Sequence, residues 1–254
     1  MKLAKLLLFG AFGVAVYELV KGAGSAISPA TEPLDTTQNP VDLTPDTPTL
    51  DLTGPTTATV QMPIPNVILD PPTSVTMLAF GAKVSADFRS KVVAICRSLG
   101  IDPSWLMAVM YSETDGTFSP SIRNPLGSAT GLLQFTQDNV SFLGVSLAQL
   151  ASMSAVQQLD YVQKYLAYWQ QVKGKLTSVG DVYMAVFNPA HLGQALSTVL
   201  YWQGSAGYTG NKGFDTATNP TPLGYITIGM VWTWANLKLA QGFLPGFVWV
   251  GVIQ

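Results

Sequence analysis

The chain has 254 residues, 48% hydrophobic and only 11% charged, with a net charge of −2 and a mean hydropathy of +0.29. That is apolar for a soluble protein, and the weak negative charge excludes electrostatic binding of nucleic acid, so a membrane or envelope setting fits better. A single cysteine, Cys96, excludes an internal disulfide framework, and a single histidine, His191, leaves no cluster of soft ligands for zinc. No metal and no cofactor are expected. No G-x-S-x-G elbow is present, so any chemistry should run on carboxylates.

Met1 to Lys21 opens with Lys2 and Lys5 ahead of an unbroken apolar run, Leu6 to Tyr17. Followed by Gly24-Ser25-Ala26, this has the form of a cleavable export signal. Glu18 and Lys21 fit that form poorly. Leu3 to Val20 as a helix would measure about 27 Å, with Lys5 free to snorkel, which makes an uncleaved single-span anchor the preferred expectation. Residues 22–82 then hold six acids, no Lys or Arg, and ten of the seventeen prolines. Proline removes backbone donors and the Thr and Asp between offer little apolar area, so residues 22–75 are expected to form an extended, disordered stalk.

From residue 76 the pattern turns helical. Phe88, Val92, Ile95, Cys96 and Leu99 recur at helical spacing between a Ser85 N-cap and Gly100. Asp102-Pro103 places a capping side chain before a proline suited to the first helical position, and the helix should run to Glu113 before Gly116. Ser154-x-x-Gln157 has the capping-box form and leads a stripe of Leu159, Val162, Leu166 and Trp169 up to Lys173-Gly174. Val179 to Phe187 and Ala190 to Trp202 are expected to be helices separated at Asn188-Pro189. The expected fold class is mainly α, with a helical domain over residues 76–240 and an apolar tail, 241–254, too short to span a bilayer and suited to packing or interfacial contact. His191 suits a cap or the surface, Cys96 a core face, and the tryptophans Trp169, Trp202, Trp232 and Trp234 either a core or sugar stacking.

Glu113 stands out among the carboxylates. Leu106, Val109, Met110 and Glu113 fall at i, i+3, i+4 and i+7, so the face that packs the helix also carries the acid, and no other glutamate follows residue 32. Spacing leaves two readings open: a glutamate fraying into water at a helix end, or a buried acid. Burial disfavours the charged form and is expected to hold the proton on the carboxyl, as protonation of a glycosidic oxygen requires.

The segments Tyr111-Ser112-Glu113-Thr114-Asp115-Gly116-Thr117-Phe118-Ser119-Pro120, Gly127-Ser128-Ala129-Thr130-Gly131-Leu132-Leu133-Gln134-Phe135 and Phe187-Asn188 occur in an order that resembles the soluble lytic transglycosylase and goose-type lysozyme family over residues 80–235. Tyr208, the Asn211-Lys212-Gly213-Phe214-Asp215 run and Ile226-Thr227 resemble its phage virion-associated members. The resemblance implies a lysozyme-like helical catalytic domain that cleaves peptidoglycan between N-acetylmuramic acid and N-acetylglucosamine, leaving 1,6-anhydro ends. It makes Glu113 the acid and then the base. It places Gln134, Phe135, Asn188 and Ser128 along the saccharide, and makes Tyr208 a further substrate-side residue, the tyrosine that hydrogen-bonds near the acid, with Tyr201 as the alternative. Thr114 stands where the family has serine, and Asn188-Pro189-Ala190 where it has asparagine-alanine-glycine. The Asp215 run has the shape of half a calcium loop but lacks the further acids. Peptidoglycan strands, a lipid membrane reached through the N-terminal segment, and other virion proteins are the expected partners, in a virion membrane or bacterial envelope.

Overall fold

The computed structural model describes residues 76–253 except 125, 126 and 220. The anchor and the stalk, residues 1–21 and 22–75, lie outside the described residues. Among the described residues no single helix is long and apolar enough to cross a membrane.

The described chain is mostly helical. Helix α1 (Ala86–Leu99) starts at Ser85, whose hydroxyl accepts the Phe88 N–H, and ends at Gly100 with φ 66°. The left-handed cap needs a residue without a Cβ penalty, which is why the helix stops at the glycine. Helix α2 (Pro103–Glu113) starts at Asp102, which accepts the Ser104 N–H, with Pro103 in the first turn. Two short helices, α3 (Gln137–Leu143) and α4 (Leu147–Ser152), precede α5 (Ala155–Lys173), and all three begin with reciprocal capping boxes. Helix α6 (Val179–Phe187) ends at Asn188. Beyond it come α7 (Ala206–Asn211), α8 (Gly213–Thr218) and α9 (Ile228–Gly242).

Helix α2 is the hub. Ser104, every residue from Leu106 to Met110, and Glu113 are buried, and α1, α6 and α9 pack around it. A helix apolar on most of its circumference must be surrounded, so the single stripe seen in the sequence understates its burial. Helix α5 packs on α1, and there the Gln170 amide donates to the Leu99 carbonyl at 2.9 Å, satisfying an end-group of α1.

The segment 190–202 does not form the expected helix. Pro189–His191 makes one 3-10 turn, and Val199–Trp202 is a strand, β2, paired antiparallel with β3 (Tyr225–Thr227). Pro189 draws the residue before it out of helical geometry, Gly193 adopts φ 84°, and the β-branched and aromatic run 199–202 finds a partner more than twenty residues ahead.

Residues 241–253 pack onto the start of the domain. Strand β1 (Thr76–Leu78) pairs with β4 (Trp249–Gly251), the Phe80 N–H donates to the Gly242 carbonyl at 3.0 Å, and the Phe247 ring sits edge-on to Phe80 at 5.7 Å. A Cβ on Gly242 would lie 2.7 Å from Ala79 and from the Phe80 ring, so this closure requires glycine. The packing half of the tail expectation is what the structure contains.

Candidate active site

Glu113 closes α2 and is 5% exposed. The reading of a carboxylate fraying into solvent is therefore overturned. The next residue explains why the helix ends there in order: the Thr114 hydroxyl donates to the Met110 carbonyl at 2.7 Å and accepts the Phe118 N–H at 3.0 Å. A hydroxyl at this position holds both the last helical turn and the loop that follows, and threonine does this as serine would.

That loop is conformationally unusual. Among the described residues four non-glycines have positive φ, and Asp115, Phe118 and Gln134 belong to the segments that carry the Glu113 and Gln134 motifs. Left-handed backbone at residues with a Cβ costs about 1–3 kcal/mol each and is kept where the surroundings over-determine it, often at functional sites.

Two phenols lie within electrostatic reach of Glu113. Tyr183 of α6 is fully buried; burial chiefly, and then the Glu113 charge, hold its proton well above the usual phenol range. Tyr165 of α5 is shifted the same way, by burial first and also by Glu113, and its hydroxyl donates to the Ala185 carbonyl at 2.9 Å. Both remain O–H groups through the neutral range.

The loop carrying Gln134 is stapled from inside. The Gln134 amide nitrogen donates to the carbonyls of Gly131 (3.1 Å) and Ile122 (3.3 Å). Gln158 of α5, wholly buried, accepts the Leu132 N–H at 2.6 Å and donates to the carbonyls of Pro120 and Leu150. Gly131 has φ 80°, and a Cβ there would fall 2.3 Å from the Gln158 amide oxygen, so both its conformation and its closeness to Gln158 demand glycine.

This changes several expected roles. The Gln134 amide N–H groups hold the loop and are not offered to a saccharide. Phe135 is fully buried and packs edge-on to Tyr165 at 5.8 Å, so it is a core residue. Ser128 is exposed, and its carbonyl accepts the Thr130 hydroxyl at 3.2 Å.

Asn188 follows α6, the helix that carries Tyr183. Its amide nitrogen donates to the Tyr201 hydroxyl at 3.3 Å, and its carbonyl oxygen is 2.9 Å from His191 Nδ1, so the histidine does serve a local, cap-like contact. Tyr201, rather than Tyr208, is thus the tyrosine joined to the asparagine. Tyr208 instead donates to Asp215 Oδ2 at 2.9 Å. The choice between two tyrosines seven residues apart depends on the β2–β3 ribbon, which turns Tyr201 toward Asn188.

Asp215 is wholly buried. Its Oδ1 accepts from the Asn219 amide and the Leu223 N–H, and its Oδ2 from Tyr208 and the Gly224 N–H, each at 2.9 Å. Burial opposes its charge, but these donors outweigh that and hold the carboxyl below the usual aspartate range. The calcium-like run therefore anchors a loop. Among the described residues no group of three His, Cys, Asp or Glu is placed to hold a metal. Cys96 is buried, and burial followed by the Asp102 charge pushes its thiol up, which leaves little thiolate. Of the four tryptophans, Trp202 is the exposed one, at 63%, and Trp234 is buried.

Sequence reasoning missed Tyr183 and Gln158, gave Ser112 no role of its own, and left Trp234 between core and sugar stacking. Gln158 was findable, because it lies four residues before Val162 and so puts an amide on the apolar stripe of α5.

Lys238 of α9 sits 4.6 Å over the Trp234 ring. Burial lowers its ammonium to about 8, and Asp115 opposes that shift. Between about 8 and the ordinary lysine value the unfolded chain binds the extra proton, so this group raises stability as pH rises through that window and weighs against the fold below it. Urea midpoints at pH 7.5 and 9.5 are expected to show this increase in the native chain and to lack it in Lys238→Met.

No family model, no curated protein and no solved structure matches this chain.

Proposed function

We propose that the protein is a peptidoglycan lytic transglycosylase with Glu113 as its acid and base. The observation that carries the reading is a glutamate 5% exposed at the end of the central helix, with two phenols in electrostatic reach. A carboxyl shielded from water can keep its proton for a leaving oxygen, and a neighbouring O–H can stabilise the carboxylate once that proton is given up. In the reaction Glu113 protonates the glycosidic oxygen and the bond to the muramic anomeric carbon breaks. The carboxylate then takes the proton of the sugar's own 6-hydroxyl as that oxygen closes on the same carbon. No water enters and no second carboxylate is needed.

Asn188 and Tyr201, joined at 3.3 Å, are the amide and hydroxyl assigned to the saccharide, with Trp202 exposed next to Tyr201 in β2. The apolar segment 1–21 and the stalk 22–75 would hold the enzyme at a virion membrane or bacterial envelope and let it reach glycan, opening the wall locally during phage entry.

The test is product chemistry. The full chain incubated with purified sacculi should release muropeptides one water lighter than hydrolytic products. Reducing ends instead would identify a hydrolytic muramidase, with the exposed Asp115 or Asp138 activating water. Binding of glycan without release of any fragment would overturn the enzymatic reading.

A further inference from the structure

A single turn folds the end of α6 back on itself. Pro189 opens the 3-10 turn Pro189–His191, where its fixed φ suits the turn and its missing N–H costs nothing. The His191 N–H donates to the Asn188 carbonyl at 3.1 Å, and Lys173 Nζ of α5 donates to the Ala190 carbonyl at 3.1 Å. The turn so held carries the imidazole back onto the Asn188 side chain, with Nδ1 2.9 Å from Asn188 Oδ1.

Tyr201 is fixed on the other side of the same amide. Its ring lies so close over Gly207 of α7 that a Cβ there would run into it, and the Phe187 ring stands edge-on to it at 6.2 Å. Its hydroxyl accepts from Asn188 Nδ2 at 3.3 Å. Three side chains thus form one connected line, imidazole to amide to phenol.

The inventory of donors gives this line a direction. An amide oxygen only accepts, so with Asn188 Oδ1 on His191 the Nδ1 atom must carry a proton, in the neutral imidazole as in the charged one. The amide N–H goes to the Tyr201 oxygen, and the phenol keeps its own proton for an acceptor outside the line. With the amide turned round, that proton would be spent on Asn188 Oδ1 inside the protein.

Building on the proposed function, we propose that His191 is a positioning residue that fixes which way the Asn188 amide points and so leaves the Tyr201 hydroxyl as a donor to a sugar oxygen. It acts through Asn188 and Tyr201, and its effect falls on holding the saccharide, not on proton transfer at Glu113.

His191 is the single histidine of the chain, so its imidazole gives an unobstructed 15N spectrum in the full-length protein. At the alkaline plateau, where the ring is neutral, Nδ1 should be the protonated nitrogen and Nε2 the bare one. In Asn188→Ala the proton should move to Nε2, the form that prevails in water. On soluble, uncross-linked peptidoglycan strands His191→Ala should raise KM about fivefold and leave kcat within about twofold of native. His191→Asn, which puts an amide N–H where Nδ1 stood, should bring KM back. In a Tyr201→Phe background, adding His191→Ala should change KM by less than about twofold, because the two residues act as one unit. A bare Nδ1 in the native protein, or an unchanged KM in folded His191→Ala, would overturn the assignment. The nitrogen spectrum does not depend on turnover. A native protein that shows the Nδ1 proton but releases no fragment refutes the transglycosylase reading and not the direction of the amide, and dissociation constants for the same strands then take the place of KM.

Discussion

Glu113→Gln is expected to lower peptidoglycan turnover by about a thousandfold or more and to leave the fold intact. The amide has the size and shape of the carboxylic acid but no proton to give a glycosidic oxygen and no charge with which to take one from the 6-hydroxyl. General acid–base catalysis contributes roughly a hundred- to ten-thousandfold, and here one group serves both steps, which puts the loss in the upper part of that range. What remains would come from holding the sugar in place. Stability should not suffer, because a neutral amide is easier to bury than a carboxylate at a site 5% exposed. The measurement is release of anhydro-muropeptides, set beside thermal melts of both proteins. Turnover within tenfold of native by a folded Glu113→Gln would remove this residue from the chemistry.

The second large effect is on stability. Asp215→Ala should cost about 3 kcal/mol or more, since it orphans the Tyr208 hydroxyl, the Asn219 amide and the N–H groups of Leu223 and Gly224 in one step. The loss should spread along the chain. The loop pinned by Asp215 leads into β3, β3 pairs with β2, and β2 carries the Tyr201 that meets Asn188. Its pH dependence has a definite sign. The folded carboxyl titrates below the ordinary aspartate value, so its stabilisation is fully present above that ordinary value and disappears as pH falls through the lowered one. Urea denaturation of native and Asp215→Ala chains should therefore show a wide gap in midpoint at pH 7 that narrows below about pH 4. A gap that stays constant into acid would mean that the carboxylate's charge contributes nothing.

Much of the helical half was readable because its signals are local. Ser85, Asp102, Ser154 and Ser178 all act within four residues of themselves, each accepting a backbone N–H of its own first turn, and a cap that works at that range works in any tertiary setting. The same locality misled at residues 190–202. The run holds apolar residues at spacings a helix would accept, yet its preference is settled by pairing with residues 225–227, which lie outside any helical window. The contacts of the Gln134 amide were illegible for a related reason. Nothing near Gln134 in sequence says that its amide nitrogen will be taken up by the Ile122 carbonyl, twelve residues back.

By itself, then, the sequence determined where four helices begin and end, Ala86–Leu99, Pro103–Glu113, Ala155–Lys173 and Val179–Phe187, and that an acid rides on the packed face of the second. Caps, propensities and helical spacing are set within a few neighbours, so no fold is needed to read them. Tertiary structure alone decided the company of that acid: Tyr165 and Tyr183 from two further helices, and behind Tyr183 the indole of Trp234, which meets Ser112 from 122 residues away. It decided, too, that Tyr201 and not Tyr208 would meet Asn188. Such meetings depend on how whole helices and one ribbon pack against each other, and that packing is a property of the buried surface as a unit, which no short stretch of chain encodes.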